Sequence, residues 1–61
     1  MIKIDGVEGE LVEGYLMVYT VDRDIAYEFY VEWMRSEGLT PLSQNAVTML
    51  RLTSRIDIIL E

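Results

Sequence analysis

A chain of 61 residues that is 51% apolar, carries a formal charge of −6 and contains neither cysteine nor histidine sets narrow limits. So short a chain is expected to fold as a single compact domain over residues 1–61, burying only about 60% of its unfolded surface and so only marginally stable. The two missing residue types exclude a disulfide framework, a thiolate zinc site and the common pairings of nucleophile with base.

The charge is unevenly held. Residues 1–37 carry nine of the eleven acids and the whole −6, whereas residues 38–56 carry no acid and hold Arg51 and Arg55. No basic end with an apolar run marks a signal peptide, and no apolar stretch approaches the ~20 residues of a membrane span, so a cytoplasmic protein with no membrane partner is expected.

At the N-terminus Ile2 and Ile4 alternate with Lys3 and Asp5 at the strand period, while Gly6, Gly9 and Gly14 make residues 1–14 a poor helix. Residues 15–21 are rich in aromatic and β-branched side chains and read as a second strand. The expected element is a β-hairpin whose connection runs through Asp5 to Glu10.

Asp22 is a good N-cap, Val21 and Ala26 are placed as a hydrophobic staple, and Gly38 followed by Leu39 supplies a left-handed stop. A helix over residues 23–37 follows. Ala26, Phe29, Tyr30, Trp33 and Met34 form its inner face and Asp24, Glu28 and Glu32 its outer one.

Thr40 and Pro41 then have the order of a cap and a first helical residue. Leu42, Ala46, Met49 and Leu50 fall on one face, so the spacing predicts a second helix through Leu52; alternation in 47–52 and 55–60 also fits a hairpin. Ile56, Ile58 and Leu60 alternate as a last short strand able to return to the N-terminal hairpin. The fold class expected is α+β: an N-terminal β-hairpin, two helices in a helix-turn-helix, winged-helix-like arrangement, and a short C-terminal strand.

Two surfaces are functional candidates. Ser43, Gln44, Asn45, Thr48, Arg51 and Arg55 would line the outer face of the second helix, and such side chains read base edges and phosphates; this is the reading of a dimeric helix-turn-helix DNA regulator. The run Ala26-Tyr27-Glu28-Phe29-Tyr30-Val31-Glu32-Trp33, then Gly38, Pro41-Leu42-Ser43 and Leu50-Arg51, resembles the winged-helix segment of phage and plasmid primase-helicase proteins over residues 25–52. The resemblance implies a fold, and nothing in the chain provides an ATPase or primase module.

The second surface is acidic. Asp24, Glu28 and Glu32 recur about every 6 Å along a helix, and like charges four residues apart cost helix stability. With Glu8, Glu10 and Glu13 they form a negative surface suited to the basic site of a nucleic-acid-binding protein.

B-DNA carries a charge roughly every 1.7 Å of axis, so the helix stripe alone is too sparse to imitate it. The favoured reading is a non-enzymatic inhibitor that masks the nucleic-acid site of a basic partner protein or complex. In overall character the chain is similar to small acidic phage-encoded inhibitors of host defence such as anti-CRISPR proteins.

No catalytic residue, metal site or cofactor is expected. The surplus of aromatic side chains suggests a homodimer or a docked partner.

Overall fold

The computed structural model describes residues 1–60. Its strands are β1 (Ile2–Ile4), β2 (Val7–Val12), β3 (Tyr15–Val18), β4 (Thr48–Arg51) and β5 (Ile56–Ile59), with one helix, α1 (Arg23–Ser36), between β3 and β4. All pairs are antiparallel, in the order β1-β2-β3-β5-β4.

The expected N-terminal hairpin is a three-stranded meander. Its first turn is only Asp5-Gly6, both with positive φ (52° and 82°), the pairing that a two-residue hairpin turn matched to strand twist requires. What reads as a connection over residues 5–10 is therefore mostly β2. Ile2, Lys3 and Ile4 lie opposite Gly9, Glu8 and Val7.

The helix forms where its local signals place it. The Asp22 carboxylate accepts from the backbone N–H groups of Asp24 (2.9 Å) and Ile25 (3.2 Å), and Gly38 takes φ 75° beyond the last turn. Ala26, Phe29 and Tyr30 are buried, and Trp33 and Met34 pack partly buried against the same core.

The second helix is not there, and with it go the helix-turn-helix and winged-helix arrangements. Residues 39–47 run irregularly to β4, which pairs with β5 as a hairpin. A helix over this stretch would bury Leu42, Ala46, Met49 and Leu50 together, yet Leu42 is 53% and Leu50 50% exposed. Burial instead follows period two, with Val47 and Met49 inside and Thr48 and Leu50 outside.

Helix α1 itself holds the connection away from helical form. The Tyr27 hydroxyl donates to the Leu42 carbonyl (2.8 Å), the Leu42 N–H donates to the Tyr30 hydroxyl (3.0 Å), and Gln44 Nε2 donates to Asp24 Oδ1 (3.0 Å).

The core lies between α1 and one face of the sheet, with Leu16, Val18, Ile56 and Ile58 wholly buried. Burying each such side chain contributes about 1.5–3 kcal/mol. Gly9 sits where the helix comes closest, since a Cβ there would lie 2.5 Å from Phe29 Cζ and 2.8 Å from the Met17 carbonyl oxygen.

Candidate protein-docking groove

Strand alternation decides where the acids go. Gly9 faces the helix, so Glu8 and Glu10 point to the opposite, open face of the sheet; their cross-strand neighbours are Lys3 and Met17. Glu13 sits in the exposed turn between β2 and β3. Asp24, Glu28 and Glu32 are exposed on α1, and Asp24 accepts the hydrogen bond from Gln44. Of the six acids expected to act as one surface, Glu8 and Glu10 thus lie on the opposite side of the sheet from Asp24, Glu28 and Glu32, and Glu13 lies at a turn.

The structure adds a residue to the helical set. The Asp5-Gly6 turn stands beside α1, and the cleft between them opens into a cavity of about 160 Å³ lined by Ile4, Asp5, Val7, Ile25, Glu28 and Phe29. A second hollow of about 190 Å³ shares Asp5 and Glu28 and continues over Tyr27, Val31 and Glu32. The result is a groove with a largely apolar floor and three acidic residues, Asp5, Glu28 and Glu32, among those that line it.

No lysine or arginine lines either hollow. Asp5 is not among the acids read as a site from the sequence; the Asp-Gly turn signal that could have placed it beside the helix was absorbed into the expected connection over residues 5–10.

The residues of the DNA-reading surface are dispersed. Ser43, Gln44 and Asn45 belong to the irregular connection, while Thr48 and Arg51 are on β4. Arg51 lies opposite buried Ile56 on the helix side of the sheet, where its Nε donates to the Val21 carbonyl (3.3 Å).

Arg55 precedes β5 and pairs with Asp57 at 2.9 Å, the single ion pair among the described residues. Asp57 lies opposite Met17 and Leu50 on the open face. No recognition helix exists to present these side chains together.

Two groups on the open face have displaced proton affinities. Arg55 is raised, chiefly by its hydrogen bond to Asp57, and so keeps its charge throughout the accessible range. Tyr19 is raised above 10.0, first by desolvation and then by the charge of Glu10, to whose Oε1 its hydroxyl donates (3.3 Å).

Among the described residues no three acidic side chains lie close enough together to hold a metal ion, and no helix is long and apolar enough to cross a membrane. Comparison with protein-family models, with curated proteins and with solved structures gives no match.

Proposed function

We propose that this chain is a non-enzymatic binding protein that engages a basic, nucleic-acid-binding partner in the cytoplasm and masks the partner's nucleic-acid site. The observation that carries the reading is the convergence of Asp5, Glu28 and Glu32, from two separate elements, on one groove with no cation in its walls.

Unneutralised carboxylates steer a basic partner toward the groove and repel a competing phosphate backbone. An apolar floor supplies the desolvated contact that surface charge alone lacks. Asp24 extends the negative side of the helix. Glu8, Glu10 and Glu13, turned elsewhere, contribute to net charge and long-range steering. A counter-defence role of the anti-CRISPR kind is the biological setting this reading carries.

Affinity capture with the tagged chain, before and after nuclease treatment of the lysate, tests the proposal. The expected result is a basic nucleic-acid-binding protein that stays bound after nuclease, is displaced by added nucleic acid, and is lost with Asp24→Asn/Glu28→Gln/Glu32→Gln. Capture that vanishes with nuclease, or is indifferent to those substitutions, overturns it.

A further inference from the structure

We infer that the groove between α1 and the Asp5-Gly6 turn is an arginine pocket, receiving one arginine side chain of a basic partner segment. The inference rests on the protein-binding reading above and gives that site its ligand. The aliphatic stem would lie on Ile4, Val7 and Ile25, and the guanidinium would stand between Asp5 and Glu28.

The floor and the rim make separate demands on an occupant. Ile4, Val7 and Ile25, over buried Phe29, offer apolar surface within a cavity of about 160 Å³, which a fully hydrated ion would not use. The carboxylates of Asp5 and Glu28 call for a cation. Long basic side chains meet both demands, because their methylene stems cover apolar surface while the charged head stays at the water boundary.

A metal ion does not suit the site, since among the described residues no three carboxylates are near enough to share one. Nor does an internal cation occupy it: Lys3 follows Ile2 and precedes Ile4 on β1, but alternation turns it to the other face, opposite Glu8.

Arginine is preferred over lysine on chemical grounds. Its guanidinium is more weakly hydrated and so enters a cleft with apolar walls at less desolvation cost, and its planar fork can bond two carboxylates at once. The adjoining hollow over Tyr27, Val31 and Glu32 gives the partner's chain a path along the helix beyond the anchoring side chain.

The test is titration of the full isotope-labelled chain, followed by backbone amide NMR, with an acetylated and amidated peptide of alternating arginine and glycine. Peptides with lysine or citrulline in place of arginine serve as controls. Shifts are expected to concentrate in residues 4–7 and 25–32, with the lysine peptide weaker and the citrulline peptide inert.

Asp5→Asn/Glu28→Gln should weaken the arginine peptide about three- to tenfold, the sum expected of two partly exposed ion pairs. Ile25→Ser should weaken it as well without unfolding the chain, since Ile25 is 39% exposed. Glu8→Gln/Glu10→Gln should leave binding as it was.

Shifts spread equally over Glu8, Glu10 and Glu13, equal loss in both carboxylate pairs, or lysine binding as tightly as arginine would overturn the pocket. The two proposals fail separately. A captured partner that survives Asp5→Asn/Glu28→Gln but is lost with Asp24→Asn/Glu28→Gln/Glu32→Gln removes the arginine pocket and leaves the binding function; capture of no protein removes the function.

Discussion

Across the middle of the sheet, the row facing α1 runs through Leu16, Ile58 and Met49, and the next row, facing away, runs through Glu10, Met17, Asp57 and Leu50. The first is wholly apolar and buried at these three positions, with Leu11 continuing it on β2 at 52% exposure; the second mixes carboxylates with half-buried and exposed apolar side chains. The same strands thus present a face that makes the fold and a face on which only Asp57, at 8% exposure, is deeply covered.

The difference teaches where this small protein can be altered. Nearly all its apolar burial is concentrated under one helix, so the open face and the outer side of α1 remain available for recognition.

The largest test of that division is Ile58→Ala, which empties a wholly buried position under the helix and should cost about 2–5 kcal/mol. In a domain this small such a loss leaves little folded protein, and urea denaturation would show it. Equal tolerance of Ile58→Ala and Met17→Ala would break the contrast between the faces.

Gly9→Ala comes next. The added methyl would press on Phe29 and on the β3 backbone, at a cost of about 1–3 kcal/mol; an unchanged denaturation midpoint would mean that α1 does not depend on this close approach.

Arg55→Ala should lower the midpoint less than either, because the guanidinium is partly exposed (35%) although the Asp57 carboxylate it bonds is not (12%). A loss as great as that of Ile58→Ala would make the open face part of the core.

Glu28→Gln should move in the other direction, raising stability by about 0.2–0.5 kcal/mol through relief of like-charge repulsion with Glu32 and Asp24. Gain of stability together with loss of partner binding is the signature of a charge kept for recognition.

The smallest effect belongs to Tyr19. Its pKa in the folded chain lies above 10.0, so on raising the pH the unfolded chain loses this proton first. The contribution of Tyr19 is intact below about pH 10 and disappears as pH climbs through the folded value. Phenolate absorbance of the wild type and Tyr19→Phe would reveal one late-titrating tyrosine, and Glu10→Gln should bring its titration earlier.

How much of this was legible varies along the chain. Asp22, the Ala26–Phe29–Tyr30–Trp33 spacing and Gly38 act within a few residues of one another, so α1 could be read directly, with its acidic outer side. The last strand was legible from Ile56 and Ile58, and so was its return to the N-terminal strands.

The strand β2 was hidden, because Glu8, Gly9 and Glu10 look like a polar connection until Asp5-Gly6 is taken as a complete turn. In residues 40–52 the local signals conflicted: Thr40-Pro41 suits a helix start, while Val47, Thr48, Met49 and Leu50 also alternate as a strand.

Sequence by itself determined the size class, the absence of thiol and imidazole chemistry, the charge of −6, the helix with its caps, and the alternating strands at both ends, all of which follow from composition or from short-range periodicity. Only the tertiary structure decided that residues 48–51 pair with β5, that Glu8 and Glu10 face away from Glu28 and Glu32, and that Asp5 joins the latter pair. Each of these depends on contacts between segments far apart in the chain: strand pairing absorbs the backbone hydrogen bonds of β4, and a two-residue turn fixes the register that sends alternate side chains of β2 to opposite faces.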